Sequence, residues 1–138
     1  GYLHDTGAAF GTQGDHEYGW MCDGQPEDQT AGVRSWGNHF DRNNACSGTT
    51  SWQMKVPNGA YNIKVTLPRS SHEGCKVQGE STGGADGMFV YDKSITISDE
   101  TLTVYGDFPS CHSIEAIVLE PIGLCFLELP RYSSAPVF

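Results

Sequence analysis

The chain has 138 residues, 17 glycines, 7 prolines and a formal net charge of −9. That length makes one domain able to bury roughly two-thirds of its unfolded surface, and the charge argues against nucleic-acid or anionic-membrane partners, which would repel it. No run approaches the ~18 apolar residues needed to span a bilayer, and no window carries the i, i+3, i+4, i+7 apolar spacing of an amphipathic helix.

The sequence starts at Gly1-Tyr2-Leu3 without a signal peptide, so it is expected to be a processed product or a piece of a longer precursor. Residues 1–21 suit two short strands joined through Gly11, Gly14 and Asp15. Gly19 sits between Tyr18 and Trp20 and so puts both aromatics on one face. From Cys22 to Thr50 periodicity gives way to turn chemistry such as Asp23-Gly24, Gln25-Pro26 and Asn43-Asn44. Long loops of this kind are usually functional or disordered; Arg34, Trp36, Phe40 and a disulfide argue for order here.

The strongest signal follows. Trp52, Met54 and Val56 alternate with polar residues, and after Pro57-Asn58-Gly59-Ala60 so do Tyr61, Ile63, Val65 and Leu67. Period-two alternation on both sides of an Asn-Gly turn predicts two strands with one shared core, as a hairpin or as a corner between two packed sheets. Counting from the turn sets Val56 opposite Tyr61, Met54 opposite Ile63 and Trp52 opposite Val65.

Residues 75–79 predict a short strand, and S-T-G-G-A-D-G at 81–87 reads as a loop tip. Residues 94–105 predict a second strand pair, whose turn at Asp99-Glu100 sets Ile97 against Leu102 and Ile95 against Val104. Residues 113–120 predict a closing strand, and Ile117-Val118-Leu119 suggests that it is covered on both faces. The tail, 121–138, holds one more strand-like piece at 124–129 and is expected to lie along the domain or a partner. The expected fold is all-β, a jelly-roll β-sandwich of two antiparallel sheets over 1–120 with roughly seven to nine short strands and no long helix.

Cys22, Cys46, Cys75, Cys111 and Cys125 include no C-x-x-C pair, which leaves little support for a zinc site. Two disulfides plus one further thiol, in an oxidising compartment, is the plainer reading. Cys22 with Cys46 would close the long polar stretch, and Cys75 with Cys111 would pair across the sandwich. Connectivity stays open at this level, and Cys125 is then free or bonded to another chain.

Five landmarks occur in order: D-T-G at 5–7, Y-G-W at 18–20, V-P-N-G-A-Y-N-I-K-V at 56–65, I-T-I-S-D-E-T-L-T-V at 95–104 and S-I-E-A-I-V-L at 113–119. Together they resemble the galactose-binding-like β-sandwich found beside the catalytic domain of bacterial rhamnogalacturonan acetylesterases, and are similar to malectin-type carbohydrate-binding domains. The resemblance covers roughly residues 5–120 and implies a sandwich, a sugar ligand and, as is frequent in such domains, a structural calcium.

Catalytic chemistry finds little footing. There is no G-x-S-x-G elbow and no helix to carry one. Cys111 and His112 are neighbours, and neighbours in a strand point to opposite faces. A glycosidase needs two carboxylates about 5 to 10 Å apart, and the 17 acids, scattered over loops, nominate no pair. His4, His16, His39, His72 and His112 lack ligand spacing. No cofactor is expected, although Asp15 with Glu17, or Asp99 with Glu100, are candidate calcium ligands beside the plainer reading of solvated turn acids.

Sugar binding is the sharper hypothesis, because pyranose C–H faces stack on aromatic planes while acids, amides and Arg take the hydroxyls. The candidate contacts are Tyr18, Arg34, Trp36, Asn38, Asp86 and Tyr91, with Trp36 the best placed for exposure and Trp52 assigned to the core; Trp20 is more readily core than platform. The function expected is therefore a non-catalytic, lectin-like module of a secreted or lumenal protein. The alternative is a structural subunit that uses the same sandwich as an interaction block within a larger complex, with a protein partner or a longer parent chain.

Overall fold

The computed structural model describes residues 2–26, 28, 33–34, 37–39, 49–67, 75–81, 89–106, 113–123 and 131–133, and among them there is no helix. Among the described residues fifteen strands follow one another, five of them only two residues long. They are β1 (Tyr2–His4), β2 (Gly11–Gln13), β3 (His16–Cys22), β4 (Gln25–Pro26), β5 (Val33–Arg34), β6 (Gly37–His39), β7 (Thr50–Lys55) and β8 (Gly59–Leu67). After these come β9 (Lys76–Val77), β10 (Glu80–Ser81), β11 (Phe89–Ile97), β12 (Thr101–Gly106), β13 (Ser113–Ile114), β14 (Ala116–Pro121) and β15 (Arg131–Ser133).

Two sheets carry the core. One runs β10-β9-β12-β7-β3-β2, with β4 also on β3; the other runs β1-β15-β14-β8-β11. Their ladders are antiparallel except for the parallel pairing of β1 with β15. The period-two alternation does what it predicts. Tyr61, Ile63 and Val65 of β8 and Ile117 and Leu119 of β14 are buried together with Trp20, Trp52, Met54, Leu102 and Val104 of the other sheet, in one hydrophobic cluster. Across the seven-stranded sheet the register lines up Leu102, Met54 and Tyr18 in one row, and Val104, Trp52 and Trp20 in the next. Truncating a side chain as enclosed as Ile63, which has no exposed surface, costs about 2–5 kcal/mol in such cores.

Of the two geometries open for the Asn-Gly turn, the corner is the one found: β7 pairs with β3 and β12, whereas β8 pairs with β11 and β14. The second strand pair is corrected in the same sense. Ile97 lies beside Gly59 and Leu102 beside Met54, so Ile97 and Leu102 belong to different sheets. Alternation reports which face is buried, not which strand is the neighbour. The two sheet-crossing turns are laced together, since Asn58 Oδ1 accepts the Glu100 N–H at 2.7 Å and the Val56 N–H donates to the Glu100 carbonyl at 3.1 Å. Asn58 thereby fixes a residue held at φ 56°.

The closing strand is covered on one face only: Ile117 and Leu119 are buried while Val118 between them is half-buried. Within the tail, β15 joins the five-stranded sheet between β14 and β1; the expected strand at 124–129 lies outside the described residues.

Candidate functional site

The outward positions of β8 and its two neighbours form a grid set by register. Asn62 lies between Glu120 on β14 and Ser94 on β11; Lys64 lies between Val118 and Asp92; Thr66 lies between Ala116 and Val90. Neighbouring strands are about 4.8 Å apart and same-face positions along a strand about 6.8 Å apart, so the nine residues tile roughly 10 by 14 Å. Asn62, Lys64, Ile63, Asp92, Val118 and Glu120 line a shallow recess of about 280 Å³ there, close to the lower end of the range for small-molecule sites.

The chemistry of the grid is divided. Ser94 Oγ donates to Asn62 Oδ1 at 2.9 Å, which orients the amide and leaves its amino group for the recess. Asn62, Lys64, Asp92 and Glu120 supply donors and acceptors on rigid strands, while Val118, Ala116 and Val90, which is 46% exposed, supply an apolar border. A second, more open depression at the crossing turns is lined by Glu17, Lys55, Val56, Pro57 and Glu100. Its lysine is already engaged, with Lys55 Nζ donating to Thr101 Oγ1 at 3.1 Å.

Of the residues nominated from sequence, the four among the described residues do not line this recess. Tyr18 is core rather than a platform: it is buried, and its ring centre lies 6.1 Å from that of Trp52. Burial, then the charge of Asp5, pushes its phenol above the usual value. Tyr91 is likewise buried on the inner face of β11, and its hydroxyl has no hydrogen-bond partner among the described residues. Burial raises its phenol too; the Glu80 charge adds to this and Lys93 opposes it. Trp20 is fully buried. Arg34 and Asn38 lie in the small sheet β13-β6-β5, where Asn38 pairs with Ile114 and Arg34 with Gly37. Trp36 and Asp86 lie outside the described residues.

On the edge strand β11, Lys93 alternates with Tyr91 and Ile95 and so turns towards the inner side. It ion-pairs with Glu80 at 2.6 Å, which joins the β11 edge of one sheet to the β10 edge of the other. That hydrogen bond first, and then the Glu80 charge, raises the Lys93 ammonium above its usual value.

Cys22 and Cys75 are each disulfide-bonded. The register places Cys22 beside Thr50 and Thr50 beside Gly106, with Cys75 immediately before β9 on the far side of β12. Three strand spacings, about 14 Å, therefore separate Cys22 from Cys75. A disulfide joins Cα atoms no more than about 7 Å apart, so these two are not bonded to each other. Cys46, Cys111 and Cys125, nominated as partners and as the spare thiol, lie outside the described residues. Both oxidised cysteines mark the same end of the seven-stranded sheet, opposite the crossing turns.

For calcium, Asp99 Oδ1 accepts the Thr101 N–H at 3.2 Å as a turn cap. Among the described residues no three His, Cys, Asp or Glu side chains are grouped to hold a metal. Comparison with family models, curated proteins and solved structures found no match to this chain.

Proposed function

We propose that this chain is a non-catalytic carbohydrate-binding module, a galactose-binding-like jelly roll working in a secreted or lumenal protein, and that it takes its glycan on the outer face of β14, β8 and β11. The observation that supports this reading is the divided grid: hydrogen-bonding groups at Asn62, Lys64, Asp92 and Glu120 beside an apolar border at Val118, Ala116 and Val90. A pyranose presents the same division, hydroxyls along its edge and C–H groups on its face. The two carboxylates of the face, Asp92 and Glu120, stand two strands and one step apart in register, about 12 Å between Cα atoms on sheet spacings. The disulfides of Cys22 and Cys75 favour an oxidising compartment.

A glycan array probed with the whole chain tests the reading. Wild type is expected to retain at least one oligosaccharide class, with Asn62→Ala and Glu120→Ala each losing most of the signal at unchanged thermal stability. No retained glycan overturns the reading. Loss in Trp36→Ala but not in Asn62→Ala moves the site off this face.

The assembly reading has one observation in its favour: β11, nine residues long, ends its sheet among the described residues, and Val90 on it is well exposed. Edge strands of that length invite pairing with another chain. Sedimentation over a hundredfold concentration range distinguishes the two, since a binding module stays monomeric.

A further inference from the structure

We infer that the outer face selects uncharged glycans and rejects acidic ones; this rests on the carbohydrate reading above. The charges of the recess are Lys64, Asp92 and Glu120. Lys64 stands directly opposite Asp92 across the β8–β11 ladder, where Cβ atoms are about 4.5–5.5 Å apart, and Glu120 lies one step away on its other flank. The one ammonium of the recess thus sits, by register, on the strand between those that carry the two carboxylates, and the recess keeps a net charge of about −1 by this count. A carboxylate or sulfate on an incoming sugar would meet Lys64 only by approaching both acids. The chain's net charge of −9 adds a long-range repulsion that salt screens.

Neutral sugars meet no such opposition. The carboxylates of Asp92 and Glu120 can accept hydrogen bonds from ring hydroxyls, and bonds to a carboxylate acceptor are the stronger kind. The Asn62 amino group and the Lys64 ammonium donate to hydroxyl or ring oxygens, with the amide held in place by Ser94. The face therefore offers acceptors and donors to hydroxyls, and its single cation is flanked in register by two carboxylates.

The experiment is calorimetric titration of the whole chain, in chelator so that no bridging cation intervenes, at 20 mM and 300 mM salt. The probes are neutral tetrasaccharides of glucose, galactose and mannose, and tetragalacturonate with and without methyl esters. The expected result has three parts. At least one neutral probe binds with an affinity that changes less than about twofold with salt. Unesterified tetragalacturonate binds at least tenfold more weakly than the best neutral probe at low salt. In the double variant Asp92→Asn, Glu120→Gln, with unchanged melting temperature, unesterified tetragalacturonate binds more tightly than to wild type, whatever happens to the neutral probes. Equal or tighter binding of the unesterified acid overturns the inference and leaves the carbohydrate reading standing. Binding of no probe overturns the carbohydrate reading, and the inference falls with it.

Discussion

Trp20 Nε1 donates to Asp5 Oδ2 at 2.8 Å, and neither residue exposes any surface. Asp5 Oδ1 meanwhile accepts the Gly7 N–H at 3.1 Å. One buried carboxylate thus ties the segment before β2 to the largest side chain of β3. Replacing it by alanine takes the carboxylate acceptor from both buried donors, at about 1–3 kcal/mol each. Asp5→Ala is expected to lose about 3 kcal/mol in urea unfolding followed by tryptophan fluorescence, and Asp5→Asn less. An unchanged midpoint would show that the contact is incidental.

Gly19 makes a sharper case. It sits at φ 140°, and a Cβ there would lie 2.7 Å from the carbonyl oxygens of both Ala8 and Ala9. Those backbone atoms are fixed, because the Trp20 N–H donates to Ala8 O and the Phe10 N–H to Trp20 O. Gly19→Ala is expected to cost about 2–3 kcal/mol or more from strain and overlap. Gly11→Ala, which meets nothing within 4 Å, is expected to stay within about 0.5 kcal/mol of wild type. Equal melting temperatures for the two variants would contradict the close approach.

Alkaline pH probes the core through its phenols. Burial raises Tyr18, Tyr61 and Tyr91 above their ordinary value, so the unfolded chain releases these protons first. The resulting stability is complete below about pH 10 and is lost as pH rises through the higher folded values. Absorbance at 295 nm is expected to show these three tyrosines ionising only as the chain unfolds. Tyr91→Phe removes a buried hydroxyl without a partner among the described residues and is expected to leave neutral-pH stability unchanged or higher by about 1 kcal/mol. A loss beyond that would mean the hydroxyl holds something in solution.

Thiol counting follows from sheet geometry. Cys22 and Cys75 are oxidised but too far apart to share a bond, so two disulfides use four of the five cysteines. Alkylation of the unfolded, unreduced chain is expected to modify one cysteine, and of the reduced chain five. Three labels without reductant would contradict it.

Much of the fold was legible because burial writes itself into alternation. Trp52, Ile63, Val65, Ile97 and Val104 were assignable to one core from spacing alone, and all five are buried. Which sheet each strand joins was not legible: the turns after Val56 and after Ile97 look like hairpin turns yet carry the chain across the sandwich. Tyr18 and Tyr91 illustrate the limit for the site, since an aromatic beside a loop motif reads the same whether it lines a mouth or fills a core. The polar grid was hidden for a different reason. Asn62, Asp92 and Glu120 are far apart in sequence, and only the registers of β8 with β11 and β14 bring them together.

The most direct test of the central claim is a nitrogen–proton correlation spectrum of the labelled chain titrated with neutral tetrasaccharides. The account predicts saturable shifts concentrated at the amides of Asn62, Lys64, Asp92, Ser94, Val118 and Glu120. Shifts confined to 33–39 and the disulfide-bearing end, or none with any sugar, would contradict it.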